Sequence, residues 1–370
     1  MTTAGLIPVL RVEGSHREVG EQVGRATADT IRRSVKAVRE TLQPGRSFAD
    51  QMALAGAYRA VTAQALPWLV DELDGAAVAA GVDPIELFAA SVEEIWAQRP
   101  SQAAIGPRSD SLGAKSPAPG RCSDLLATAS ATADGHTLVA HTNDLPLGTE
   151  AEVVAIEWHV PGDPVVFSLG VGPWISVGWN DAGLSLTGDE LRPNDERIGV
   201  PRLLMVREQL TKRTLADAVA AALRPDRASS YNTLLAHRDG GVVEIEGSAT
   251  DAEILAPDPD GTLAHTNHYL APRMQGFEGD PAQARRSAIR YQRARDLLGQ
   301  AAREPGSVSP DVLRTLLSDH ANAPESLCRH AAPGESSKTV FWCIADVHAG
   351  RIVFGRGNPC RSIAQTYTFA

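Results

Sequence analysis

Residues 117–145 read PAPGRCSDLLATASATADGHTLVAHTNDL, and their pattern decides how the rest of the chain is divided. Proline and glycine at 117–120 cannot sustain a helix or a central strand, so the stretch opens as a loop. That loop delivers one thiol, Cys122, to the start of a run whose periodicity is that of a strand. Residues 125–130 and 137–142 flank Ala133-Asp134-Gly135, a turn signal between two apolar runs, which predicts a β-hairpin. The hairpin ends in a carboxylate, Asp144, brought back beside its beginning.

Upstream, residues 99–121 (RPSQAAIGPRSDSLGAKSPAPGR) are dominated by Ser, Pro, Gly and small residues, which predicts a flexible loop ending at Cys122. A long structureless loop in a compact chain is usually functional or disordered. Before it the pattern is helical. A short apolar segment at 6–12 suits an edge strand, and one helix is expected over 14–42, opened by a Ser15/Glu18 capping box. Gly20 and Gly24 inside it cost roughly 1 kcal/mol each in helix propensity, so they mark close approach to a neighbour. Residues 48–98 continue as helices broken at Gly81 and Pro84, with Trp68, Leu69, Leu73, Phe88, Ile95 and Trp96 as core.

Downstream, strands are expected at 153–160, 165–170, 174–180 and 184–187, then one helix over 202–223. A second hairpin, YNTLLAHRDGGVVEIEG at 231–247, turns at Gly240-Gly241, and a short strand leads into His265-Thr266-Asn267-His268-Tyr269. Helices at 281–303 and 310–320 precede a last hairpin, 339–347 with 351–355, turning at Ala349-Gly350. Grouped strands and grouped helices predict an α+β layered fold rather than alternating βαβ units. No internal repeat, dinucleotide fingerprint or phosphate loop is present.

With 43% hydrophobic and 22% charged residues, the 370-residue chain has globular composition and enough length for one large domain or two. A net charge of −10 argues against nucleic acid or an anionic membrane as main partner. The first residues lack a basic stretch followed by a long apolar run, and no apolar run reaches about 18 residues. Neither a signal peptide nor a spanning helix is therefore expected, and a cytoplasmic location follows. The 4 cysteines are too few for a disulfide framework and show no CxxC or CxxH spacing. Free thiols are expected, with Cys328, Cys343 and Cys360 as packing residues, and no metal or cofactor.

A thiol nucleophile needs a base. The 10 histidines leave a cysteine–histidine dyad in an uncut chain open, although papain-like cysteines start a helix and Cys122 heads a strand. The alternative base is the cysteine's own α-amine. An α-amine has a pKa of about 7.7–8.0 and a thiol about 8.5, so both lie close to neutrality. That arrangement requires cleavage of the Arg121–Cys122 bond, making Cys122 a new N-terminus.

The run RCSDLLATASATADGHTLVAHTNDL resembles the isopenicillin-N acyltransferase-like family of N-terminal nucleophile hydrolases, with bile-salt hydrolases, penicillin V acylase and acid ceramidase as more distant relatives. The segments GSHREVGEQVG, GWNDAGLSLTGDEL, SSYNTLL, HTNHYL, SLCRH and GRGNPC are also similar to that family's pattern. The resemblance implies a four-layer αββα sandwich. Residues 1–121 would be a helical N-terminal segment ending at the cleavage site and 122–370 the catalytic segment, the two forming one integrated domain after processing. Cys122 would be the autoprocessed nucleophile, Asp144 the carboxylate that positions the amine, and Asn267 an oxyanion donor. Arg290 is the first choice for the family's helix arginine and Arg286 the second.

Two departures bear on the substrate end. Thr142 stands where relatives carry asparagine, and His141 where bile-salt relatives carry arginine. Together with Ser248, His268, Tyr269 and Arg286, these residues are expected to line the substrate site. The implied activity passes an acyl group from an amide or thioester, through an acyl-cysteine, to water or an amine. A small acyl amide or acyl-CoA would be the substrate and the cleaved N-terminal fragment a lasting partner, with a homo-oligomer left open. An uncut cysteine–histidine hydrolase and a non-catalytic binding protein of the same fold stay as alternatives.

Overall fold

The computed structural model describes residues 5–43, 45–97 and 121–369; of the loop expected at 99–121, all but Arg121 lies outside them. Strand β1 (Val9–Glu13) leads into α1 (His16–Ala26) through the Ser15/Glu18 capping box, which satisfies the N–H groups at the helix start. The single helix expected over 14–42 is two. Thr27 turns its hydroxyl back onto the Val23 carbonyl at 2.8 Å, the chain leaves helical geometry there, and α2 (Ala28–Glu40) sets off anew. Helices α3 (Phe48–Ala65), α4 (Pro67–Ala80), α5 (Pro84–Ala90) and α6 (Glu94–Ala97) follow.

Gly20 and Gly24 do mark a close approach. A Cβ on them would lie 1.9 Å from the Glu72 carbonyl oxygen and 2.3 Å from that of Ala76, both on α4. Gly75 on α4 meets the Arg17 carbonyl in the same way, so the two helices touch backbone to backbone.

After the described chain resumes come β2 (Arg121–Ala127), β3 (Leu138–Pro146), β4 (Val153–His159), β5 (Val166–Val171), β6 (Trp174–Asn180) and β7 (Leu184–Asp189). The helix expected over 202–223 is also two, α7 (Arg202–Leu210) and α8 (Leu215–Ala222). Thr214 accepts a hydrogen bond from the Asp217 amide, and this N-cap starts a second helix where one was expected to run on. Then follow β8 (Asn232–His237), β9 (Val242–Gly247), β10 (Ala252–Leu255), β11 (Thr262–His265), α9 (Pro281–Ala301), α10 (Pro310–Leu317), β12 (Ser337–Asp346), β13 (Arg351–Arg356) and β14 (Gln365–Thr368). The short edge strands β10 and β14 were not expected from the pattern.

The strands form two sheets, β1-β4-β5-β6-β7-β8-β9-β10 and β11-β2-β3-β12-β13-β14, antiparallel except for the β1–β4 pair. Strand alternation gives each sheet two apolar faces. Ile156 and Trp158 pack outward against Val19 and Val23 of α1 and Val206 and Leu210 of α7. Leu125 and Trp342 pack outward against Leu298 of α9 and Leu313 of α10. Between the sheets Phe167 and Val177 meet Phe341, Cys343 and Phe354, while Leu126 and Val139 meet Leu234 and Ala236. The result is a four-layer α/β/β/α sandwich.

Cys343 is core, as expected, but Cys360 is exposed and so is not a packing residue. The Gln365 side chain on β14 bonds both the N–H (2.6 Å) and the carbonyl (2.9 Å) of Ile7, tying the last strand to the segment before β1. Among the described residues no helix is long and apolar enough to cross a membrane.

Candidate active site

Register places the site. In the β2–β3 hairpin Cys122 lies across from Asn143, and Arg121 across from Asp144. On the other flank of β2, His265 of β11 pairs with Asp124. Two residues beyond β11 the chain is therefore level with Cys122, and Asn267 stands there. Its Oδ1 accepts the Cys122 N–H at 2.9 Å. Helix α9 lies over β2 and β11 and lowers a fully buried Arg290 onto the same point. Arg290 Nη2 donates to Asn267 Oδ1 (2.6 Å) and to the Cys122 carbonyl (3.1 Å), and Nε reaches Ser123 Oγ at 3.5 Å. Asn267 Nδ2 donates to the Glu190 carbonyl at 3.1 Å, just past β7 in the facing sheet. With two donors on its oxygen and an acceptor at its nitrogen, the amide has one satisfied orientation.

Asp144, expected beside Cys122, is offset by one residue and accepts the Thr339 hydroxyl at 2.7 Å. Its charge still acts on the thiol. Burial, first, and then Asp189, Asp144, Asp124 and Glu190 push the Cys122 thiol well above its usual range. Left to itself, the sulfur holds its proton.

Asp124 and Asp189 belong to a polar layer sealed between the sheets. His141 Nδ1 meets Asp124 Oδ1 at 2.8 Å, both wholly buried. His265 sits between Asp189 (3.0 Å from Nδ1) and Glu246 (3.0 Å from Nε2). Burial opposes its charge, but Glu244, Asp189 and Glu246 raise its pKa well above the ordinary value. Both ring nitrogens thus carry protons, and His265 has no lone pair for a base. Burial likewise opposes a charged His141, and Asp124 still raises its pKa. Glu244, which accepts from Asn232 Nδ2 at 2.9 Å, is pushed up to about 8 by burial. None of Asp124, Asn143, Asp189, Glu244 or Glu246 was singled out from the sequence. Counting from the expected turn, with 130 opposite 137, puts Leu145 across from the thiol; the hairpin instead pairs Ala127 with Leu138, and that two-residue shift brings in Asn143. Its Oδ1 is buried with no hydrogen-bond partner among the described residues.

The remaining expected residues scatter. Thr142 is buried on β3 across from Ser123. His268 Nδ1 meets Ser287 Oγ at 3.0 Å and its ring stands edge-on to Tyr291. Burial and the His265 charge lower its pKa to about 4, so it is neutral at neutral pH. Tyr269 donates to the Gly247 carbonyl at 2.8 Å, and Ser248 donates to Asp195 Oδ2 at 2.9 Å within a turn. Arg286 pairs with Glu325. Ser248, Tyr269 and Arg286 are thus engaged elsewhere, whereas Cys122, Asn267 and Arg290 converge.

The profile of the acyl-coenzyme A:6-aminopenicillanic acid acyl-transferase family matches residues 170–361, more than half of the chain. The matched stretch holds Asn267 and Arg290 and begins downstream of Cys122. No curated protein matches the chain. Among solved structures, the fold is similar to a mutant conjugated bile acid hydrolase from Clostridium perfringens, with 13% identity over 67% of this chain and 97% of that one (TM-score 0.42). It is also similar to an N-acylethanolamine-hydrolyzing acid amidase ortholog from Caenorhabditis elegans, with 15% identity over 61% and 93% (TM-score 0.40). A penicillin V acylase from Agrobacterium tumefaciens shows 11% identity over 67% and 86% (TM-score 0.40). On its family match, the chain belongs to the acyl-coenzyme A:6-aminopenicillanic acid acyl-transferase family.

Proposed function

We propose that the chain cuts its own Arg121–Cys122 bond and then acts as an N-terminal cysteine amidohydrolase or acyltransferase. The supporting observation is the hydrogen bond that fixes the Cys122 nitrogen on Asn267, with Arg290 holding both Asn267 and the Cys122 carbonyl. In the cut, the Cys122 sulfur attacks the Arg121 carbonyl carbon and the acyl group moves from nitrogen to sulfur. Water then hydrolyses the thioester, giving an Arg121 carboxylate and a free α-amine.

That amine supplies what the buried thiol lacks. Surrounded by carboxylates, the sulfur does not ionise alone at neutral pH, so the adjacent amine takes its proton as the sulfur attacks. The thiolate adds to an amide or thioester carbonyl, and the ammonium returns its proton to the departing amine or thiol. An acyl-cysteine remains, which water or an amine resolves. Asn267 holds the amine in this scheme. Donation to the oxyanion requires its Nδ2 to leave the Glu190 carbonyl. Asp144 acts through the charge it lays on the site, and buried His141 lies on the same face of the sheet as Cys122, while Thr142 points to the opposite face. After the cut the two segments stay one body, because β1 remains in the sheet beside β4.

Intact mass spectrometry checks the proposal. Wild-type protein is expected as two fragments divided before Cys122, and Cys122→Ala as one chain. A wild-type chain with its Arg121–Cys122 bond unbroken would sink the reading. Acyl-amide and acyl-CoA panels against the cut form then separate hydrolysis from transfer.

A further inference from the structure

Away from Cys122, the chain gathers four side chains with soft and borderline donor atoms. His320 and Cys328 lie in the loop after α10, His330 follows by two residues, and Cys360 sits in the turn between β13 and β14. Their ligating atoms all lie within 4.8 Å of one another. His320 Nε2 and His330 Nε2 are 3.0 Å apart, the two sulfurs 3.5 Å, and each sulfur is 3.5 Å from His330 Nε2. Zinc bonds of about 2.3 Å to sulfur and about 2.0–2.1 Å to nitrogen give a tetrahedron with edges of about 3.3–3.8 Å. Four of the six separations already stand close to those edges and the other two lie within 4.8 Å, and no proton arrangement satisfies all four atoms as mutual hydrogen-bond partners.

We propose that His320, Cys328, His330 and Cys360 bind one Zn2+ in a tetrahedral Cys2His2 site that clamps the loop after α10 to the β13–β14 turn. The donor set is complete, so the site is structural, with no open position for a substrate. A second layer is present: Asn358 Nδ2 lies 3.5 Å from the Cys328 sulfur, where an amide N–H stabilises a thiolate. Cys328 is buried while Cys360 and His320 are exposed, which leaves an open path for the ion. Arg361, exposed and 3.0 Å from His330 Nδ1, swings out when that nitrogen takes the proton a ligating imidazole carries. Short-spacing motifs missed the site because its ligands come from two segments joined only in the fold.

The clamp reaches the candidate active site through the residue between two of its ligands. Arg329 is fully buried, pairs with Glu325 at 3.2 Å, and feels the Asp144 charge. Glu325 in turn lies 3.8 Å from Arg290. Fixing Cys328 and His330 therefore fixes Arg329 as a positioning residue.

The test is metal content after equilibration with Zn2+ and gel filtration, on wild type and on Cys122→Ala. One ion per chain is expected in both, which separates this site from the nucleophile and from self-cleavage. Cys328→Ser and Cys360→Ser should lose the ion, and His320→Ala should bind it more than about tenfold more weakly. Circular dichroism verifies that these chains are folded, and exposed Cys360→Ser serves should Cys328→Ser not fold. Co2+ in place of Zn2+ should give tetrahedral d–d bands and a thiolate charge-transfer band. Three results would each overturn the proposal: no retained ion, an ion unaffected by both cysteine variants, or a native Cys328–Cys360 disulfide in peptide mapping.

Discussion

Asn267 accepts two hydrogen bonds on one oxygen and spends its amide nitrogen on a carbonyl of the opposite sheet, so no part of it is idle. Removing it strips the Cys122 nitrogen of its acceptor and takes from Arg290 its 2.6 Å hydrogen bond. Hydrogen bonds to charged groups contribute about 1.5–3 kcal/mol. Asn267→Ala should then slow both self-cleavage and turnover by about 10- to 150-fold, followed by gel time course and product release. Unchanged rates would remove Asn267 from the mechanism. The raised thiol pKa gives a second prediction. In a chain kept uncut, alkylation of Cys122 should be slow at neutral pH and quicken as pH rises, measured by mass shift. At this scale Cys122 was legible because a loop, a strand start and a lone thiol coincide. Glu244 and Glu246 were not. They alternate with Val243 and Ile245, the pattern of a half-wet strand, yet both are buried against the second sheet.

At the scale of elements, the α1–α4 contact depends on absent side chains. Gly20→Ala would drive a methyl into the Glu72 carbonyl, and relieving that overlap should cost about 1–3 kcal/mol in urea unfolding. Gly56 on α3 has nothing within 4 Å of a built Cβ. Gly56→Ala should therefore stabilise, by about 0.4–1 kcal/mol. Equal effects at the two positions would mean that propensity, not contact, sets the cost. The same contrast explains which boundaries could be read. Capping boxes and turn glycines act locally, so the start of α1 and the hairpin turns were visible. The breaks at Thr27 and Thr214 come from threonines whose side chains bond backbone, in windows whose apolar spacing stays helical. Strands β10 and β14 are too short to carry a period.

Across the whole molecule, the buried polar layer couples stability to pH. Glu244 has a folded pKa raised from 4.5 to about 8, so its contribution is full below about pH 4.5 and is lost as pH climbs toward 8. His265, raised well above 6.5, works in the same direction at higher pH. Glu246, lowered, loses its contribution only as pH falls below about 4.5. Urea midpoints should therefore decline from about pH 5 to about pH 8, and Glu244→Gln, which keeps the acceptor for Asn232, should flatten that decline. A profile identical to wild type would show that Glu244 does not titrate there. The layered architecture was legible from grouped strands and helices, whereas this sealed layer arises only when two sheets meet. The tie between Gln365 and Ile7 has a further consequence. Because the last strand already meets the segment before β1, a short peptide joining residues 369 and 5 would let the gene be reopened elsewhere. A permuted protein translated from Cys122, once its initiator methionine is trimmed, would be born with a free amine and need no maturation step.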